Sequence, residues 1–248
     1  MAIDDERLET PIYWLLRYGS LGPLINLVYT PWVEGAENIP TSGAAILAPN
    51  HISFMDSMVV PLATSRRVTF LAKAEYFEGK GLKGMLIRNF FRSAGQIPVE
   101  RGTARAHTAL SAASKVLKTG GLIAIYPEGT RSPTGLLYKG RTGVARLALE
   151  NHVPVIPIGI HGTREIQPPE RNMPKLGRVG LRIGKPLDFS KYQDQKDDRL
   201  VLRTITDEIM QNIKELSESQ YVDMYAEEAR RLIAQEKRSK HKDAKTEG

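Results

Sequence analysis

Two hydrophobic periods alternate along this chain. Ala44-Ala-Ile-Leu-Ala48, Val68-Thr-Phe-Leu71, Ile97-Pro-Val99, Leu122-Ile-Ala-Ile-Tyr126 and Val155-Ile-Pro-Ile-Gly-Ile160 are short apolar runs bounded by turn residues, the pattern of buried strands. Val179-Gly-Leu-Arg-Ile183 alternates apolar and other residues, as a half-exposed strand does. Between these runs the period lengthens. Met55 to Ala63, Met85 to Phe91, Thr103 to Leu117 and Thr142 to Leu149 read as helices, and Gly120-Gly121 ends the third of them. After Asp194, Leu202, Ile205, Ile209, Ile213 and Leu216 fall on one helix face, and Tyr221 to Ile233 is a second amphipathic candidate. Strands and helices in this alternation predict an α/β domain over residues 34–235. Its central sheet is largely parallel or mixed, with helices packed against it.

The two ends of the chain depart from that pattern. From Thr10 to Val33 the only formal charge is Arg17. Tyr13, Trp14, Tyr18, Tyr29 and Trp32 lie there among Leu, Ile and Val, interrupted by Gly19, Gly22, Pro23 and Pro31. The breaks preclude one spanning helix of ~20 apolar residues, while Trp and Tyr favour the membrane–water interface. Residues 1–33 are therefore expected to form two short helices, a hairpin anchored in one leaflet, with Arg17 reaching back to the head groups. Residues 236–248 carry Lys237, Arg238, Lys240, Lys242 and Lys245 with Ala244 as the only apolar side chain. A disordered basic tail, a weak tether to an anionic surface, is the expectation. The acidic first residues, Met-Ala-Ile-Asp-Asp-Glu-Arg, lack the basic lead of a signal peptide, so export is not expected.

Composition narrows the chemistry. The 248 residues are 41% hydrophobic and 25% charged, the balance of a globular protein rather than a disordered one. With no cysteine, disulfides, thiol nucleophiles and cysteine-ligated metal sites are excluded. A net charge of +7 points to anionic partners: phosphorylated metabolites, acidic lipid or nucleic acid. Nucleic acid is set aside because no aromatic-basic array or recognition motif accompanies the charge.

Gly79-Lys-Gly-Leu-Lys-Gly84 matches the spacing of a dinucleotide-binding loop, but Ala74-Glu-Tyr-Phe-Glu78 separates it from the preceding strand, so it reads as a basic surface loop. The five histidines show no metal-ligand spacing. More informative is Asn50-His-Ile-Ser-Phe-Met-Asp56, where a strand gives way to a helix. There Asp56 can hold the His51 imidazole, fixing its tautomer and stabilising the imidazolium formed when it takes a proton. Ser53 reads as a local hydrogen-bonding residue at the helix start. Tyr126-Pro-Glu-Gly-Thr-Arg-Ser132 also follows a buried strand. Gly129 there permits close backbone approach, and Thr130, Arg131 and Ser132 are donors suited to phosphate. Arg101, in Gly95-Gln-Ile-Pro-Val-Glu-Arg-Gly102, lies between a strand and a helix and is a further phosphate candidate.

These blocks in this order, with Phe70-Leu-Ala-Lys73-Ala-Glu75 and Val153-Pro-Val-Ile-Pro157 beside them, resemble the glycerolipid acyltransferases, nearest to the 1-acylglycerol-3-phosphate (lysophosphatidate) acyltransferases. The resemblance runs from about Gly35 to Pro186, with Tyr126 where the family pattern often has Phe. It implies His51 as general base and Asp56 as its orienting partner. A lipid hydroxyl then attacks an acyl thioester directly, with no acyl-enzyme. It further implies that Arg101, Glu128 and Gly129 hold the glycerol phosphate, beside the Thr130 and Arg131 already read as phosphate donors, that Lys73 contacts phosphate or the developing oxyanion, and that Pro157 binds the acyl donor or shapes that region. The implied acyl donor is acyl-CoA or acyl-carrier protein, with no other cofactor and no metal. The implied place is the cytoplasmic face of the cell membrane, on an anionic surface. The rival readings are the same chemistry on another lysolipid, glycolipid or aminolipid, and a catalytically silent lipid-binding protein.

Overall fold

The computed structural model describes residues 11–246, apart from 83, 86–87, 89–95, 100–102 and 169–172. The described residues open with helix α1 (Pro11–Trp14), a π-helical turn (Leu15–Ser20) and α2 (Leu21–Tyr29), followed by strand β1 (Trp32–Glu34). Then come β2 (Ala45–Pro49), α3 (Asp56–Val59), continued by a 3-10 turn (Val60–Ala63), β3 (Val68–Lys73) and β4 (Gln96–Val99). The second half holds α4 (Thr103–Lys118), β5 (Leu122–Ala124), β6 (Leu137–Tyr138), α5 (Gly143–Asn151) and β7 (Val155–His161). It finishes with α6 (Thr163–Ile166), β8 (Gly180–Ile183), α7 (Arg199–Ser217), β9 (Tyr221–Val222) and α8 (Ala226–Thr246).

Seven strands form one sheet in the order β1-β8-β7-β2-β5-β3-β4, and β6 pairs with β9 separately. Pairings from β7 through β4 are all parallel, whereas β7 meets β8 antiparallel. The mixed, mostly parallel sheet is therefore the expected α/β architecture. Parity along each strand divides the apolar residues between two layers. Ala45 and Leu47 of β2, Leu122 and Ala124 of β5, and Ile156, Ile158 and Ile160 of β7 share one cluster with Ile25 and Tyr29 of α2, Val59 of α3, Ile166 and Val179. Ile46, Ala48, Ile123 and Val155 face the other way, onto Ala113 of α4, Leu147 of α5 and Ile205, Ile209 and Ile213 of α7. Asp198 caps α7, accepting from the backbone N–H groups of Leu200 and Val201.

The ends of the chain differ from expectation in ways that the packing explains. No loop separates α1 from α2, as a hairpin would require; the π-helical turn joins them directly. Their inner face belongs to the core: Tyr13 is buried and its hydroxyl accepts from the Val68 N–H at 3.4 Å. Arg17 donates to the carbonyls of Thr64 and Arg66, groups left unpaired before β3, instead of turning outward to head groups. Trp32 belongs to the sheet. β1 pairs with β8, so Trp32 and Val33, expected in the N-terminal segment, are strand residues of the central sheet. Tyr221 and Val222 form a strand rather than the start of a helix, because their backbone completes a ladder with Leu137 and Tyr138. α8 continues to Thr246 through the segment expected to be disordered. Its run of Ala, Glu, Gln, Lys and Arg has no Gly or Pro to break it, and Glu227 and Glu228 complement the helix dipole in the first turn. The Gly79–Gly84 segment also finds its reason here. A Cβ on Gly84 would lie 2.1 Å from the Gly79 carbonyl carbon, so these glycines let two backbone stretches touch.

Because Ile209 is fully buried and Leu200 is 78% exposed on the same helix, their truncations should differ sharply. Ile209→Ala is expected to lower unfolding free energy by about 2–5 kcal/mol, and Leu200→Ala to change it by less than about 0.5 kcal/mol. Denaturant titration of both variants checks the assigned face of α7.

Candidate active site

Strands β2, β5 and β7 run in parallel, so the segments leaving them emerge at one edge of the sheet. The Asn50 side chain continues the β2–β7 ladder beyond the last strand residue: its Oδ1 accepts from the Ile160 N–H at 2.7 Å. That anchors the backbone just before His51. Next, the chain turns so that Asp56, at the first position of α3, faces back towards it.

Asp56 is fully buried, and its carboxylate is surrounded by donors. Oδ2 accepts from His51 Nδ1 at 2.8 Å and from the backbone N–H groups of Ile52 at 2.8 Å and Ser53 at 2.9 Å. Oδ1 accepts from the Thr163 hydroxyl at 2.6 Å, a donor carried on α6 just past the end of β7. A carboxylate so placed accepts the Nδ1 proton and leaves Nε2 as the basic nitrogen of a neutral ring. The His51 side chain is 16% exposed, enough to be reached from outside.

The segment after β5 fixes His51 from the other sides. Glu128 Oε1 accepts from the His51 N–H at 2.9 Å, and the Ser132 N–H donates to the His51 carbonyl at 2.7 Å. The Tyr126 ring stacks on the imidazole, with centroids 3.7 Å apart and planes 12° from parallel. The Tyr126 hydroxyl pairs with Ser57 Oγ at 2.8 Å, tying the ring to α3. Burial and the Asp56 charge push this phenol well above its ordinary pKa, so it stays neutral.

Glu128 is 1% exposed, and its second oxygen accepts from the Tyr138 N–H at 2.9 Å. It lies behind His51, bridging two backbone amides. Burial raises its carboxyl to about 8; the two amide donors oppose the rise and the Asp56 charge adds to it. Gly129 makes the turn that follows, at φ +73°, a left-handed conformation that suits glycine. Arginines from two other elements grip the rest of the loop. Arg230 of α8 donates to the Thr130 hydroxyl at 3.2 Å and the Arg131 carbonyl at 2.6 Å. Arg164 of α6 donates to the carbonyls of Ser132 at 3.4 Å and Pro133 at 3.2 Å. The Arg131 side chain itself forms no hydrogen bond or ion pair among the described residues.

The remaining sequence candidates are distributed differently. Lys73 ends β3 in register with Val99 of β4, at the same sheet edge. Arg101 lies outside the described residues. Pro157 is buried within β7, paired with Ala48 three residues before His51, so it lies in the sheet rather than beside the imidazole. Ser53 donates to the Gln167 carbonyl at 2.9 Å and accepts from the Met55 N–H at 3.2 Å, a local structural role. Sequence reasoning missed Thr163, Arg164, Arg230 and the stacking role of Tyr126. Only Thr163 carried a usable signal, a hydroxyl just after a strand of the same sheet. Among the described residues, no three His, Asp or Glu side chains gather in a metal-binding cluster.

Residues 31–161, which contain the His51–Asp56 pair and the Glu-Gly-Thr-Arg loop clamped behind it, match the family model described as Acyltransferase. That match covers more than half of the chain, which belongs to this family. Among its relatives, the chloroplastic 1-acyl-sn-glycerol-3-phosphate acyltransferase LPAT1 of Arabidopsis thaliana is 31% identical over 162 residues, 64% of this chain and 44% of that protein. The chain therefore spans less than half the length of that plant relative. The 1-acyl-sn-glycerol-3-phosphate acyltransferase of Bacillus subtilis is 26% identical over 188 residues, 74% of this chain and 86% of the bacterial one. The crystal structure of the 1-acyl-sn-glycerophosphate acyltransferase PlsC of Thermotoga maritima shares the fold, with a TM-score of 0.60 and 24% identity over 83% of this chain and 79% of that one.

The buried Glu128 gives a pH signature. Its carboxyl holds a proton to about pH 8 when folded but only to about 4.5 in its unperturbed state. Between these values the folded protein binds more protons than the unfolded chain, so this group's contribution to stability falls as pH rises through that window. Thermal unfolding from pH 5 to pH 8 should show wild type losing stability relative to Glu128→Gln. A difference independent of pH would show that Glu128 ionises as an ordinary carboxylate, and one of opposite slope would show that folding lowers its pKa instead; either contradicts the raised value.

Proposed function

We propose that this chain is a 1-acylglycerol-3-phosphate acyltransferase that moves a fatty acyl group from an acyl thioester to the free hydroxyl of lysophosphatidate, giving phosphatidate in phospholipid biosynthesis. The observation that carries this reading is the His51 imidazole, held through Nδ1 by Asp56 and by the Tyr126 ring, with Nε2 left as the base. The Ser53 hydroxyl, engaged with the Gln167 carbonyl, is not poised as a nucleophile, so the lipid hydroxyl serves as one. Its oxygen bonds to the thioester carbonyl carbon while its proton passes to Nε2. The tetrahedral adduct then breaks its carbon–sulfur bond, and the imidazolium returns the proton to the departing sulfur. The new ester and a free thiol leave, and His51 is restored. Asp56 stabilises the imidazolium between the two transfers. This step calls for no cofactor beyond the donor, acyl-CoA or acyl-carrier protein, which present the same pantetheine thioester.

Acceptor phosphate is assigned to Lys73, Arg101 and Arg131, cations on segments that leave β3, β4 and β5. Glu128, Gly129 and Thr130 shape the loop that carries Arg131. No helix among the described residues is long and apolar enough to cross a membrane. Attachment is assigned to the outer face of the N-terminal helices, lying in one leaflet at the cytoplasmic face, because Leu15, Tyr18, Leu24 and Leu27 are exposed there.

Purified protein should acylate lysophosphatidate from an acyl thioester, with positional analysis of the product identifying the hydroxyl used. His51→Ala should lower turnover by about a hundredfold or more without unfolding the protein, and Asp56→Asn should also be severe through the wrong tautomer. Arg101→Ala should raise the acceptor KM far more than the donor KM, with Arg101→Lys recovering part of the loss. Near-normal turnover in the His51 variant would sink the mechanism, preference for an acceptor without phosphate would redirect the substrate, and no thioester turnover by wild type would leave a lipid-binding protein.

A further inference from the structure

The connection from β7 to β8 carries a surface feature that the catalytic reading does not use. A solvent-exposed turn ordinarily presents small and polar residues. This one presents Met173 and Leu176, which are 78% and 81% exposed, as open to solvent as Leu27 of the N-terminal helix at 80%. Lys175 and Arg178 alternate with them and are also exposed. Neither cation's side chain forms a hydrogen bond or ion pair among the described residues.

The base of this connection is firmly built. Thr163 bonds to Asp56, the Gln167 carbonyl accepts from Ser53, and the returning chain is tied by the Lys175 N–H donating to the Ile166 carbonyl at 2.9 Å. Ile166 and Val179, which bracket the turn, are buried in the same apolar layer as Ile25 and Tyr29 of α2. The turn thus rises from the sheet edge that holds His51, on the sheet face covered by α2, whose outer side exposes Leu24 and Leu27.

We propose that Met173, Lys175, Leu176 and Arg178 form a second lipid contact, inserting two apolar side chains into an anionic leaflet beside the catalytic edge while the two cations meet its head groups. The proposal rests on the lipid-acceptor reading above, because it places the mouth of the site against the leaflet that holds the substrate. Two apolar side chains interleaved with two cations are the chemistry of interfacial binding to acidic lipid. They offer too little area for a stable protein interface, which buries roughly 1,200 Å² or more. The exposed leucines of α2 extend the same kind of contact on the same sheet face.

The test uses the full chain and vesicles of phosphatidylcholine with or without phosphatidylglycerol. Leu176→Trp should give blue-shifted emission, above the background of Trp14 and Trp32, that acyl-brominated lipid quenches. Leu176→Asp should weaken vesicle binding by about tenfold, the effect of losing one buried leucine. Turnover of detergent-dispersed acceptor should stay unchanged, because no residue of the base or phosphate site is altered. Lys175→Glu should weaken binding only to vesicles containing phosphatidylglycerol. A Trp at position 176 that stays unquenched while the protein still binds vesicles would overturn this contact and leave the N-terminal attachment standing. Absence of vesicle binding by wild type would overturn both. A change in oligomeric state on Leu176→Asp, with vesicle binding unaltered, would assign the turn to a contact between copies of the chain.

Discussion

A carboxylate buried without compensation is costly enough to unfold a domain of this size. Asp56 is buried completely, and donors from the His51 ring, two backbone amides and the Thr163 hydroxyl make that possible. Much of the edge architecture follows from satisfying this group. The turn after β2 must bring the Ile52 and Ser53 amides inward, and the connection after β7 must deliver Thr163. The imidazole is then the one donor of the set with a second functional nitrogen. The interaction that makes the buried charge tolerable is the one that sets the base.

The segment after β5 completes the arrangement by holding both the backbone and the ring of His51. Glu128 and Ser132 bond to the two polar backbone groups of His51, and Tyr126 lies flat against its ring. Arg164 and Arg230, from elements on either side, secure the carbonyls of residues 131–133. Arg230 belongs to α8, outside the part of the chain that matches the family model. The C-terminal helix, joined to the loop also through the β6–β9 ladder, is thus part of the framework of the site.

Much of this was legible in the chain. The positions of β2, β3, β4, β5 and β7 followed from short apolar runs, and α7 from the spacing of Leu202 to Ile213, because burial leaves a period in the sequence, whereas β1, β6 and β9 carried no such run. His51 and Asp56 were legible because both lie within one turn at a strand end, close enough for their pairing to be inferred from spacing. Arg164 and Arg230 reach the site across long sequence separations, and nothing local marks them, whereas Thr163 shows only as a hydroxyl just after a strand. Glu128 was visible as a residue, but its position behind His51 depends on Tyr138, which only the folded chain brings near. Trp32 and Arg17 read as interfacial from composition, whereas pairing with β8 and the free carbonyls before β3 drew them into the protein. The helical tail turned on propensity outweighing its charge.

The central claim is that Asp56 holds His51 with its proton on Nδ1, leaving Nε2 as the base. Nitrogen-15 NMR of histidine-labelled protein measures this directly, with His51→Gln to assign the signals. The account predicts that neutral His51 shows a protonated Nδ1, its proton shifted downfield by the Asp56 hydrogen bond, and an Nε2 bearing no proton. A neutral His51 carrying its proton on Nε2 would contradict it.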